Sequence, residues 1–456
     1  MSKSTSDAFA DVIEWAADQT WSNGKVGLCG ISYFAGSQWR VAVRRPKGLA
    51  AICPTDSMAD YSRDRCRHAG ILTSFLKWWF DRQVLALQYG RPRKDTWGPD
   101  TIEGILNDEE LAANLDDQTV DNAQFHYRDE NYYASREYNL ENIAVPLLSI
   151  GNWGSIMIHL RGNYEGYRHA GSEKKFLRMI TGRHDLPFYD DDQVEVQMSF
   201  FDAFLKGEDR GGWTDGSRPP VDLVIRKGNV GVNNRDAEKE ASKRRFENEW
   251  PGHWHGHSTR SFILRRTKVY QRRSRTHEAV TASLTELWET EITGYIVAHL
   301  NVSVTALPGG PVPKDIDLFL TLRHYGADSE EIFYTGITGE PIPLCKGWQR
   351  LSLRHVNTEH PRHRSWLPHR DYFESDLLPV LPGEVYPVDV EVWATNVVVA
   401  TGDRLVFEVA SGDTQGIGLS GHDTAERSVE KFAGMNHIHF GPDYLNYLTL
   451  PIIPPA

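Results

Sequence analysis

Nowhere in its 456 residues does the chain carry eighteen apolar residues in a row, and its first residues lack the apolar core of a secretory leader. The expectation is a cytoplasmic chain with no membrane partner. Cysteine is scarce: Cys29, Cys53, Cys66 and Cys345 stand far apart, and no C-x-x-C pairs any of them. Such spacing suits reduced thiols rather than a disulfide framework or a zinc site. An excess of positive charge is missing as well. Lys and Arg number 50 against 62 Asp and Glu, a net charge of −12. Nucleic acid and anionic membranes, which call for a positive field, are excluded as general partners. Gly24, Gly27 and Gly30 do not make G-x-G-x-x-G and no Walker lysine follows, so no phosphate cradle is built there. Internal repeats and low-complexity runs are absent too. What remains is a large chain of two or three domains, at roughly 100 to 200 residues each, suited to a small-molecule substrate.

Apolar periodicity divides the chain into regions. Phe9, Val12, Ile13, Ala16 and Ala17 are spaced as on one helix face, "SNG" breaks that pattern, and residues 25–29 are short and apolar enough for a buried strand. Ala35, Trp39, Ala42 and Val43 predict a second helix, and "GLAAICPTD" a second buried strand ending at Asp56. Residues 57–140 change character. "ILTSFLKWWFDRQVLAL" and "TIEGILNDEELAANL" carry helical spacing and many charges, a helical insertion with Trp78, Trp79 and Phe80 in its core. "IAVPLLSIGNW" and "KKFLRMITGRH" predict two more strands around a segment of helical length, and "VEVQMSFFDAFLKGED" a helix ending at Gly207. Strands alternating with helices make an α/β sheet, here assigned to residues 1–56 and 141–212. From 213 to 456 the pattern switches to period two. "VDLVIRKG", "TRSFILRR", "GYIVAHLNVSVTA", "DIDLFLTLRHYG", "VYPVDVEVWATNVVV" and "DRLVFEVASGD" read as strands, clearest where Val388, Val390 and Val392 alternate with Asp389 and Glu391. That is an all-β sandwich or jelly roll, joined through "RGGWTDGSRPP".

Between the first strand and the second helix stands Ser32, in "GKVGLCGISYFAGSQW". A serine at a sharp strand-to-helix turn is the arrangement of a nucleophile elbow, because the turn lifts Oγ out of the sheet. Gly30 leaves room for the turn, and the N–H of Tyr33 would face a developing oxyanion at the helix N-terminus. The motif is partial, since Phe34 stands where glycine is usual, with Ala35 and Gly36 after it.

These segments, together with "TGRHDLPFY", "FFDAFLKGEDRG", "FENEWP", "TEITGYIVAHLNVSVTA" and the closing "YLTLPIIP", resemble in order the CocE/NonD hydrolases, relatives of cocaine esterase, α-amino-acid ester hydrolases and X-prolyl dipeptidyl peptidases. The resemblance implies an α/β-hydrolase domain with a helical cap and a C-terminal jelly roll. It also implies acyl transfer to water through a Ser-His-Asp triad without a cofactor, acting on small ester or amide substrates. Ser32 matches the nucleophile, His184 in "TGRH" the base, and Tyr33 the residue giving one oxyanion N–H. Two departures stand out. Only 31 residues precede Ser32, so the chain looks like an N-terminally truncated member without the early loop whose tyrosine hydroxyl would be the second oxyanion donor. The family aspartate should follow "VPLLSIG", yet "GNWGS" offers Asn152, Gly154 and Ser155 and no carboxylate. Asp56, at the end of the strand after the serine helix, is the first candidate for a relocated acid, and Glu165 the second; Asn152 could orient the ring without charge.

No metal centre is expected. His253, His255 and His257 in "HWHGH", like His437 and His439 in "NHIHF", lack neighbouring carboxylate or cysteine partners and are read as solvated or core-edge histidines. The basic run at residues 239–245 is read as a solvated loop. A different class of function is left standing, a degenerate hydrolase fold that binds a ligand or partner without catalysis. Assembly into homo-oligomers is left open.

Overall fold

The computed structural model describes residues 2–85, 107–113, 116–250, 258–264, 268–270, 279–284 and 289–453. "HWHGH" and part of the helical insertion lie outside them. The first helix, α1 (Lys3–Ala17), buries Ile13 and Ala17 but leaves Val12 exposed. The strand β1 (Val26–Ile31) runs into Ser32 and the helix α2 (Tyr33–Ala42), which buries Ala35, Trp39 and Ala42. Next comes the strand β2 (Leu49–Thr55), six of its seven residues buried. Trp39 fixes α2 in place: it is fully buried, and its indole N–H donates to Ser57 Oγ at 3.1 Å, just past Asp56. A Cβ on Gly166 would sit 2.7 Å from the same ring, so only glycine lets the helix Leu160–His169 pack there. Truncating such a tryptophan costs about 3 to 5 kcal/mol.

Among the described residues the first sheet has six strands. β1, β2, Leu147–Asn152, Lys175–Ile180 and Val221–Ile225 run parallel in that order, and Lys243–Glu247 closes the edge antiparallel. The last two strands lie beyond residue 212 in the chain and complete the first sheet. "VDLVI" alternates like an outer strand of the second domain, but its residues are all buried and it pairs with Leu177 and Arg178 of the first sheet. The basic run at 239–245, read as a solvated loop, is instead helix and strand. Lys239 stands in the last turn of the short helix Arg235–Ala241, in an ion pair with Asp190, and Arg244 and Arg245 lie in the edge strand, paired with Asp222 and with Glu247 and Glu291.

The helical insertion caps this sheet. Tyr61, Cys66, Leu76, Tyr132 and Tyr133 form a small core of their own; Phe80 is buried and Trp78 and Trp79 half-buried. Arg40 of α2 holds the insertion by donating to the carbonyls of Ser135 and Arg136. The second sheet is antiparallel, eleven strands among the described residues, built around the long pair Thr290–Thr305 and Tyr386–Val399. Val388, Val390 and Val392 are buried in it as the alternation predicts. His437 is on a short strand, Met435–Ile438, and His439 just past it, bonded to Thr305 and Ser303 respectively. One apolar cluster runs through both sheets, with Trp153, Tyr164 and Leu223 on one side and Tyr295, Trp348 and Val390 on the other. Trp250 stacks on Tyr164 and meets Trp153 at a tilt. No helix among the described residues is long and apolar enough to cross a membrane.

Candidate active site

The turn at Ser32 has the strain its sequence calls for. Its φ of 59° and ψ of −116° lie outside the regions ordinary residues favour, and such strain persists only where the surroundings enforce it. Its N–H is held by the carbonyls of Thr55 and Asp56, at 3.1 and 3.2 Å, which ties the serine to the end of β2. A Cβ on Gly30 would lie 2.7 Å from Phe34 Cβ, so the glycine two residues before the serine is the one that admits the turn. Tyr33 is the first helical residue, and its N–H has no intrahelical acceptor. Its ring stacks on Trp79 of the cap, 5.9 Å between centres.

Asp56 follows β2 with a positive φ of 44° and is fully buried. That backbone turns its carboxylate toward the carboxyl ends of the neighbouring strands, where His184 stands after Lys175–Ile180. His184 Nδ1 lies 2.6 Å from Asp56 Oδ2. Ser155 donates to the same oxygen at 2.8 Å. The seat where the family acid was sought is thus filled by a serine that bonds a carboxylate from the neighbouring strand. Glu165, the other carboxylate considered, serves elsewhere. It lies in the helix Leu160–His169 and bonds His169 Nε2 at 3.1 Å and the Tyr295 hydroxyl at 2.7 Å, because its helix turns it toward the second sheet. Asn152 does not orient the imidazole either. Its amide donates to the carbonyls of Gly182 and Arg183 and accepts from Gly154 N–H, bracing the histidine loop through its backbone.

A small hairpin of the second domain, Tyr334–Thr335 paired with Pro341–Ile342 apart from the second sheet, touches this loop directly. His184 N–H donates to Ile337 O at 2.9 Å, and a Cβ on Gly154 would lie 2.4 Å from Thr335 O. Glycine at 154 is the condition for that approach.

A residue that the sequence did not single out completes the cluster. His159, buried at the start of the helix Leu160–His169, places Nε2 3.4 Å from Ser32 Oγ. Its ring is stacked on His184 with centres 4.8 Å apart and planes 6° from parallel. It sits in "GSIMIHLRGN", an apolar run with no motif; a lone imidazole in that run was the only signal.

Burial and charge divide the three ionisable groups. Burial pushes His159 down to about 3, and the charge of Asp56 only partly offsets this, so its imidazole is neutral. Burial also pulls His184 down, but the charge and hydrogen bond of Asp56 outweigh it and leave His184 above the ordinary histidine value. Asp56 is pushed up by burial and pulled further down by His184, which keeps it ionised. Asp56, His159 and His184 bring donor atoms within 4.8 Å of one another, as do His360, His369 and Asp371. In the first group His184 is bonded to Asp56 and His159 to Ser32, and in the second His369 is bonded to Asp371 and Arg362 N–H to His360.

Comparison with known proteins agrees with this architecture. The sequence profile of the X-Pro dipeptidyl-peptidase (S15 family) matches residues 1–185, and that of the X-Pro dipeptidyl-peptidase C-terminal non-catalytic domain matches residues 212–449. Cocaine esterase of Rhodococcus sp. is 23% identical over 537 residues, covering 97% of this chain and 83% of its own. A crystal structure of a CocE/NonD family hydrolase from Staphylococcus aureus shares the fold at a TM-score of 0.79 and 23% identity, over 99% of this chain and 76% of that one. An α-amino acid ester hydrolase does so at 0.62 and 14%, over 97% and 79%. With both halves matched in order and the fold shared along nearly its whole length, the chain belongs to the CocE/NonD family of hydrolases.

Proposed function

We propose that the protein is a serine hydrolase that cleaves small ester or amide substrates through an acyl-enzyme. The observation that carries this reading is the 2.6 Å bond from His184 to the buried Asp56, set beside a serine in a strained elbow conformation. Ser32 Oγ attacks the carbonyl carbon. A neutral imidazole takes its proton and returns it to the leaving alcohol or amine, and His184 is assigned that role because Asp56 stabilises its imidazolium. The Tyr33 N–H, unpaired at the start of α2, faces the oxyanion. Water then repeats the sequence on the acyl-enzyme.

A fluorophosphonate probe tests the reading. The wild-type protein should be labelled at Ser32 and should hydrolyse p-nitrophenyl acetate. Ser32→Ala should lose the label and at least about 10⁴-fold in turnover with its circular dichroism unchanged. The competing reading, a hydrolase fold that binds without catalysis, is favoured by the hydroxyl of Ser32 being bonded to His159 rather than to His184. Absence of labelling in the folded wild-type protein would establish it.

A further inference from the structure

The two histidines divide between them the contacts that a single base makes in a triad. His159 has the serine contact, and His184 has the short carboxylate contact. Both rings lie face to face beside one carboxylate, whose Oδ2 already serves His184 and Ser155. Its other oxygen, Oδ1, faces His159 Nδ1 across 3.9 Å, and both atoms are buried with no hydrogen-bond partner. A carboxylate oxygen that faces a ring nitrogen favours a proton on that nitrogen, since otherwise two lone pairs oppose each other. His159 then carries its hydrogen on Nδ1 and turns the bare lone pair of Nε2 to Ser32 Oγ–H.

We propose, on the serine hydrolase reading above, that His159 is a second catalytic base at Ser32, sharing Asp56 with His184. As Oγ bonds to the substrate carbonyl carbon, the Oγ–H bond breaks and the proton passes to His159 Nε2. The same proton leaves with the alcohol or amine when the acyl bond to it breaks. In deacylation water gives a proton to that nitrogen as its oxygen bonds to the acyl carbon, and that proton passes to Ser32 Oγ as the acyl–Oγ bond breaks and the acid leaves. Asp56 Oδ1 offsets the charge on the ring throughout.

The groups that face His159 are Asp56, which favours its cation, and His184 and Arg65, which oppose it. Those that face His184 are Asp56 and Asp185, both favouring its cation. His159 therefore keeps its acceptor lone pair to much lower pH than His184 does. A ring held neutral in this way is a weak base, but one that is always in the accepting form.

That contrast supplies a readout that packing alone would not move. In His184→Gln, hydrolysis of p-nitrophenyl acetate should fall by about 10²-fold rather than to the Ser32→Ala level. The acid limb of its kcat/KM profile should move to lower pH, and adding His159→Gln should remove the remaining activity. His159→Gln alone should lose about 10²-fold with the acid limb of His184 unmoved. The proposal is overturned if His184→Gln equals Ser32→Ala, or if its residual activity is indifferent to His159→Gln. Should the His159 variants, Asn as well as Gln, fail to fold, the profile of His184→Gln decides alone: a lowered acid limb supports the second base and an unmoved one sinks it. Full turnover in Ser32→Ala would instead overturn the hydrolase reading itself.

Discussion

In the parallel sheet each side chain of the site stands past the carboxyl end of a strand: Ser32 after β1, Asp56 after β2, Ser155 and His159 after Leu147–Asn152, His184 after Lys175–Ile180. The second domain reaches the same place with backbone from the hairpin Tyr334–Ile342, through Ile337 O on His184 and Thr335 O against Gly154. Buried charges join the two regions, Arg161 bridging Asp64 of the cap to Glu391 of the second sheet, and Arg67 reaching Glu426. Reactive groups and the rigidity that aligns them thus come from different parts of the chain. Strand ends converge and expose side chains, whereas a hairpin of the second domain offers backbone carbonyls that hold the histidine loop.

Substitutions in the two regions should separate along that line. The largest effect is expected at Asp56→Asn, about 10⁴-fold in turnover with the fold retained. The carboxylate is what lifts His184, so its loss should also carry the acid limb of kcat/KM to lower pH. A pH–rate series on the variant checks both, and unchanged turnover would break the assignment of chemistry to the parallel sheet. Next is Arg161→Met, which leaves Asp64 buried without its guanidinium partner and Glu391 with Arg63 alone. It should cost about 3 to 5 kcal/mol of stability, seen as a lower urea midpoint, while turnover per folded molecule changes far less.

The smallest effect concerns acid. Burial raises the Glu426 carboxyl, but Arg67 and Arg350 overcome it and hold it at about 2, below its ordinary 4.5. A folded value below the unfolded one means that the contribution is present above pH 4.5 and is lost as the pH falls toward 2. Thermal midpoints measured down that range should drop less steeply in Glu426→Gln than in the wild type. Equal slopes would show that this link between cap and second sheet adds nothing specific.

What the residues made legible follows the same division. Ser32 could be read because a glycine, an apolar run and a helical period meet within a dozen positions, all of them local. Asp56 could be placed by topology, since a strand following the serine helix ends on the same edge of the sheet. The partner of Val221–Ile225 was not legible: alternation records which face is buried, not which neighbour lies alongside. The edge strand Lys243–Glu247 was hidden by its charges, which suit an outer strand as well as a loop. His159 carried no local signal, because its significance lies in meeting Ser32 across 127 positions of sequence.

The left-handed backbone at Asp56 bears on how such a site decays. Few residue types other than glycine tolerate a φ of 44°, and asparagine and aspartate are the foremost of them. Drift at this position is thereby funnelled toward asparagine, which keeps the turn, the volume and the contact from Ser155, and loses only the charge. One replacement of that kind would leave descendants that fold, persist and pair with whatever this protein pairs with, yet turn nothing over. An inert lineage lies one substitution away, reached with hardly any cost in stability to alert selection.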